Sequence, residues 1–143
     1  IVDISSEYSP LKPINISGDV ISDLIDELPI LFIACAACKG VSNISNIEEL
    51  RYKESDRINS MERGLNILGI KTESTQCSIK IHGGDFTGGI VDSYGDHRVA
   101  MAFSIAALIS KKPITILNTD NISTSFPNFI DILTEIGVEL YET

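Results

Sequence analysis

Leu65-Asn66-Ile67-Leu68-Gly69-Ile70 returns near the end of the chain as Leu133-Thr134-Glu135-Ile136-Gly137-Val138. In both copies two apolar residues three apart close a helical pattern at a glycine. A β-branched residue then resumes the chain, the mark of a helix ending in a strand. Working outward, Ile44-Ser45-Asn46 matches Ile116-Leu117-Asn118, and Leu31, Ile33 and Cys35 match Phe103, Ile105 and Ala107. Self-similarity on this scale marks a repeat architecture.

Each copy reads β-α-β-α-β, with one more strand closing the first. The units run over approximately 10–84 and 85–143. Strands are expected at Pro13–Ser17, Val41–Ser45, Ile70–Thr75 and Ser78–Ile81, from Ile90-Val91, and at Pro113–Leu117 and Val138–Tyr141. Helices are expected over Ile21–Cys38, from Lys53 to Leu68, from an Asp96 cap to Ser110, and from a Ser123-Thr124-Ser125 cap to Ile136. Val2–Ser5 reads as the tail of a strand that belongs to a longer protein. The fold class is α/β, with each helix packed on a sheet.

The 143 residues suffice for one domain with a core, and an apolar fraction of 43% argues against disorder. A net charge of −9 argues against nucleic acid or an anionic membrane as the main partner. No apolar run reaches the roughly 20 residues of a membrane helix; the longest is Leu28 to Cys38. There is no signal peptide, and a chain opening on Ile1 reads as a fragment or processed product. Three cysteines make no disulfide framework. Cys35 and Cys38 lie in an apolar helical run with no basic neighbour, so they read as small core residues and not as a redox pair. Reduced thiols fit the cytoplasm.

The charges concentrate in Glu48-Glu49-Leu50-Arg51-Tyr52-Lys53-Glu54-Ser55-Asp56-Arg57. On a helical wheel with Lys53 at zero, Ile58, Met61, Leu65 and Leu68 fall between about 60° and 140°. Glu54 lies near 100°, within that apolar stripe, and Arg57 near 40°. A solvated cap would put its charges opposite the stripe. The wheel instead points Glu54 toward the packed side, flanked by Lys53 and Arg57, where a carboxyl can be tuned for proton transfer.

Other polar groups recur at helix starts: Asp26-Glu27, Asp96-His97-Arg98 and Ser123-Thr124-Ser125. In a repeat with parallel wiring these starts can gather at one end. Lys53, Arg57 and Arg98 would then suit phosphates and carboxylates, while Asp26, Glu54 and His97 suit acid–base work. His82 reads as a surface residue at a strand end. Gly83–Gly89 is no phosphate-binding loop, since no Gly-Lys-Ser/Thr follows. No Cys/His set has metal-ligand spacing.

Lys53-Glu54-Ser55-Asp56-Arg57, preceded by Glu49-Leu50-Arg51, resembles a signature of the EPSP synthase (3-phosphoshikimate 1-carboxyvinyltransferase) family. Asp96-His97-Arg98 with Ala100-Met101-Ala102, Thr124-Ser125-Phe126-Pro127-Asn128-Phe129 and Asp26-Glu27-Leu28-Pro29 are similar to three further segments of that family, in family order. The resemblance covers nearly the whole chain and matches the C-terminal part of the family pattern. It implies repeated β-α-β-α-β-β units, part of an inside-out α/β barrel domain. It implies transfer of the enolpyruvyl group of phosphoenolpyruvate to the 5-hydroxyl of shikimate 3-phosphate, with release of phosphate and no metal or organic cofactor.

Carried over by motif, Asp26 accepts the hydroxyl proton and contacts shikimate 3-phosphate, Glu54 protonates C3 of phosphoenolpyruvate, and Lys53 contacts shikimate 3-phosphate. Arg57 and Arg98 bind phosphoenolpyruvate, with His97 adjacent. Two positions depart from the pattern. Thr124 stands where many members carry a lysine, and Glu49 where some carry a substrate-binding asparagine. The expected partners are the two substrates and the missing N-terminal part of the same enzyme, without which the chain is expected to be inactive. The alternatives are UDP-N-acetylglucosamine enolpyruvyltransferase, which shares the fold and the phosphoenolpyruvate chemistry, and a non-catalytic anion-binding module.

Overall fold

The computed structural model describes residues 3–141. It is mixed α/β, as the alternating patterns require. Strand β1 (Asn15–Ile16) leads through α1 (Val20–Leu24), a 3-10 turn (Ile25–Glu27) and α2 (Leu28–Ala37) to β2 (Val41–Ser45). A second 3-10 turn (Glu48–Tyr52) and α3 (Arg57–Ile67) lead to the hairpin of β3 (Thr72–Ser74) and β4 (Ser78–His82). Then follow β5 (Gly89–Asp92), α4 (His97–Ala107), β6 (Ile114–Leu117), α5 (Ile122–Ser125) and α6 (Phe129–Glu135).

The first four strands form one sheet in the order β1-β2-β4-β3, and β5 pairs with β6 in a second. The helical connections return the chain parallel, β1 on β2 and β5 on β6, whereas the hairpin is antiparallel. β2 and β6 each end on an asparagine in left-handed conformation, Asn46 (φ 63°) and Asn118 (φ 60°). Both reach the end of the neighbouring parallel strand: Asn46 Oδ1 accepts from Gly18 N at 3.1 Å, and Asn118 Nδ2 donates to Asp92 Oδ1 at 2.8 Å. Asparagine tolerates this conformation better than other side chains that carry a Cβ.

The core lies between the helices and the sheets. Helix α2 is apolar on every side; it buries Leu28, Phe32, Ile33, Cys35 and Ala36 and leaves Ile30 exposed. Leu28 and Phe32 of α2, Ile58, Met61 and Leu65 of α3, and Val99 and Phe103 of α4 are fully buried in one cluster with Ile44, Ile79 and Ile81 of the first sheet. Cys35 and Cys38 are buried there too, and the Cys38 thiol donates to the Cys35 carbonyl at 3.0 Å.

Four expectations change. The expected helix over Ile21–Cys38 divides at the 3-10 turn, because Pro29 opens α2 and has no N–H to continue the ladder from α1. The helix expected from Ser123 to Ile136 divides at Pro127, which keeps Phe126 out of the helical region (φ −142°, ψ 78°). Ser123 and Thr124 do not cap it, since their hydroxyls donate back to the Asp120 and Asn121 carbonyls. Val138–Tyr141 forms no strand, for no described strand lies beside it to complete a ladder. The strand expected at Val2–Ser5 lies partly outside the described residues, and Asp3–Ser5 carries no regular structure.

Gly64 marks a close approach of α3 to α4. A Cβ there would stand 2.2 Å from Cζ of the buried Phe103. Gly64→Ala is therefore expected to destabilise the chain by about 2 kcal/mol in urea unfolding, because overpacking outweighs the better helix propensity of alanine. Phe103→Leu added to that background is expected to recover part of the loss.

Candidate functional site

Helix α3 does not begin at Lys53. Asp56 caps it, its side chain accepting from Asn59 N at 3.0 Å, so the first helical residue is Arg57. Arg51 holds the cap, bonding Asp56 Oδ2 at 2.8 Å and the Gln76 carbonyl at 2.9 Å. Lys53, Glu54 and Ser55 therefore lie in a bend between the second 3-10 turn and α3. This corrects the wheel. Glu54 does not point into the core; its side chain is 52% exposed, and Arg57 is the charged group that enters, at 1%.

The Arg57 guanidinium then gathers three carboxylates from three separate elements. Nε pairs with Asp96 Oδ2 at 2.8 Å, Nη1 with Asp26 Oδ1 at 3.0 Å, and Nη2 with Glu54 Oε2 at 2.5 Å. Asp96 caps α4 and is fully buried, whereas Asp26, on the first 3-10 turn, is half-exposed. Lys53 Nζ lies 3.8 Å from Asp26 Oδ1 and 2.5 Å from Glu49 Oε1. Arg98, from the first turn of α4, donates to the Asp26 carbonyl at 2.8 Å and to Glu27 Oε1 at 2.7 Å.

Burial works to raise the Asp26 pKa, but the hydrogen bond from Arg57 and the charges of Arg98, Lys53 and Arg57 outweigh it and hold the carboxyl below its ordinary range. Lys53 is raised, first by its bond to Glu49, and stays a cation. Burial works to lower Arg57, yet its bonds to Asp96 and Asp26 and the charges of Asp96 and Glu54 keep it above its ordinary value.

Beside this cluster opens a cleft of about 410 Å³, within the range of small-molecule sites. Asp26, Glu27, His97 and Arg98 line one side, and Ser125, Phe126 and Phe129 the other. The structure thus brings together the cations and carboxylates that the sequence grouped at helix starts, and sets His97 on the same cleft. Thr124 leaves no cation at its position. His82 stays apart, at the end of β4 against Glu73. Among the described residues no group of three or more His, Cys, Asp or Glu is placed to hold a metal.

Sequence reasoning read Asp96 only as a cap and missed that it also pairs with Arg57. The sequence carried no signal for it, because the wheel put Glu54 and not Arg57 on the packed side; once Arg57 is seen to enter the core, a buried acid is required. The partners Glu27, for Arg98, and Glu49, for Lys53, were also unassigned.

Asp26 titrates lower in the fold than in the unfolded chain. Its contribution to stability is therefore complete above the ordinary aspartate value and disappears as pH falls through the lowered folded value. The stability gap between the wild type and Asp26→Asn, from urea unfolding, is expected to stay constant from neutral pH to about pH 5 and to close below about pH 4.

The chain is similar to known proteins over nearly its whole length. Residues 2–133 match the model of the EPSP synthase (3-phosphoshikimate 1-carboxyvinyltransferase) family. The chain is 45% identical over 138 residues to a 3-phosphoshikimate 1-carboxyvinyltransferase of Coxiella burnetii, covering 96% of this chain and 32% of that protein. It is 46% identical over 140 residues to the enzyme of the same name from Methylococcus capsulatus, covering 98% and 32%. An EPSP synthase structure from Acinetobacter baumannii superposes with a TM-score of 0.84 at 43% identity, over 88% of this chain and 30% of that one. The enolpyruvyl transferase NikO from Streptomyces tendae shares the fold, with a TM-score of 0.74 at 20% identity over 94% of this chain and 30% of that one. The chain spans about a third of the length of the curated relatives it matches. With the family pattern matched over nearly its whole length, the chain belongs to the EPSP synthase family.

Proposed function

We propose that this segment forms one wall of a site that transfers the enolpyruvyl group of phosphoenolpyruvate to the 5-hydroxyl of shikimate 3-phosphate, releasing phosphate. The rest of the full-length protein supplies the facing wall. The observation that carries the reading is Arg57 joining Asp26 and Glu54 beside the cleft that Arg98 and His97 line. Two anionic substrates need cations, and the reaction needs one proton acceptor and one donor; the cluster holds both sets.

In this reading Lys53 contacts shikimate 3-phosphate, Arg57 and Arg98 meet phosphoenolpyruvate, and His97 lies against it. Asp26 accepts the hydroxyl proton. Its lowered pKa makes it a weak base while three cations face it. Substrate anions that neutralise Lys53, Arg57 and Arg98 raise its basicity as they bind. Glu54, half-exposed and on a bend, can leave Arg57, take up a proton from solvent and deliver that proton to C3 of phosphoenolpyruvate.

The chain is then a single partial domain of two units, approximately 10–84 and 85–143. The left-handed asparagines at equivalent strand ends, Asn46 and Asn118, support that division. The unpaired thiols of Cys35, Cys38 and Cys77 favour the cytoplasm.

Titration of the ¹⁵N-labelled chain with phosphoenolpyruvate and shikimate 3-phosphate is expected to shift resonances at Asp26, Lys53, Arg57 and Arg98. Shifts at other surfaces alone would turn the reading toward a non-catalytic anion-binding module. In a full-length enzyme carrying this segment, Glu54→Gln is expected to lower kcat by about 10²–10⁴-fold with little change in substrate affinity. An unchanged kcat with weakened binding would remove Glu54 from the acid role.

A further inference from the structure

We propose that Asp96 is a positioning residue that sets, with one carboxylate, where Arg57 and Arg98 stand. Its two oxygens serve two elements. Oδ1 accepts from Arg98 N at 2.9 Å and Val99 N at 3.4 Å, which caps α4 and places Arg98 in the first turn. Oδ2 accepts from Arg57 Nε at 2.8 Å and from Ser55 Oγ at 3.1 Å, reaching the start of α3 and the bend before it. Four donors fill the roughly four acceptor sites of an ionised carboxylate. The group has no capacity left for solvent or ligand and is fully buried.

A buried ion pair of this kind contributes little net stability, and its best-attested use is to specify one arrangement. Here the arrangement concerns the guanidinium. Nε is the nitrogen nearest the chain, and a bond there fixes the rotation of the planar fork. Nη1 and Nη2 are then aimed outward at Asp26 and Glu54, both half-exposed. The inner end of Arg57 is locked and the outer end exchangeable, so an anion can replace Asp26 or Glu54 without moving the arginine. That the exchanged anion is phosphoenolpyruvate rests on the function proposed above; the locking by Asp96 does not.

Asp96→Asn separates the two duties, because asparagine caps helices as well as aspartate but carries no charge for Arg57. The variant is expected to keep the far-UV circular dichroism of the wild type. Hydrogen exchange at Arg57 Nε–H, followed by ¹⁵N NMR, is expected to accelerate at least tenfold. The Asp26 carboxyl is expected to titrate closer to its ordinary value, since Arg57 is no longer held beside it. The inference is overturned if the Arg57 exchange rate is unchanged and Asp26 titrates at or below its wild-type midpoint, which is what removing one negative charge does when Arg57 stays in place. Should the variant fail to fold, the wild type decides: Arg57 Nε–H exchanging as fast as that of the exposed Arg63 overturns the inference, and much slower exchange supports it. Neither readout needs a substrate. Failure of phosphoenolpyruvate or phosphate to bind the wild type therefore tells against the proposed function and leaves this inference standing.

Discussion

Arg57 enters the interior with its charge intact, and the other polar groups of the site are arranged by that fact. An unpaired guanidinium in a core is costly enough that such groups are found paired or not at all. The fully buried Asp96 meets it from the start of α4, and Asp26 and Glu54 meet it from the rim. Three stretches distant in sequence thus converge on one group: the turn before α2, the bend before α3 and the cap of α4. Exposure is graded around it, dry at Asp96 and half-wet at Asp26 and Glu54.

The apolar frame makes this convergence available. Phe32, Met61, Leu65 and Phe103 fill the space between α2, α3 and α4, and Gly64 lets α3 and α4 approach closely. The helix starts and the turn before α2 then lie together, so cations and carboxylates accumulate at one end without any segment being strongly basic. A chain with a net charge of −9 can for this reason still hold Lys53, Arg57 and Arg98 in one local cluster around Asp26.

Much of the fold was legible because it rests on local chemistry. The glycines at Gly69 and Gly137 end helices in left-handed conformation. Asp96 caps α4 through its own side chain, and the alternating segments at Val41–Ser45 and Ser78–Ile81 are strands. The grouping of Asp26, Lys53, Glu54, Arg57, His97 and Arg98 was legible from their recurrence at helix starts, and the motif resemblance singled out the same residues. The orientation of Glu54 was not, because a wheel presumes an unbroken helix. Asp56 can cap only where Arg51 and the turn at Thr75-Gln76 hold the bend. Val138–Tyr141 has a strand pattern, but a strand exists only with a neighbour to pair.

By itself the sequence determined the repeat, the order of most strands and helices, the family and the identity of the charged residues near the site. These follow from side-chain periodicity, from glycine and cap chemistry within a few residues, and from motifs that survive as strings. Only the tertiary structure decided which charge is buried, which carboxylate holds it and which ones remain free to exchange. Burial and pairing depend on contacts between residues thirty or more positions apart, as Arg57 is from Asp26 and Asp96, and no local pattern encodes such contacts.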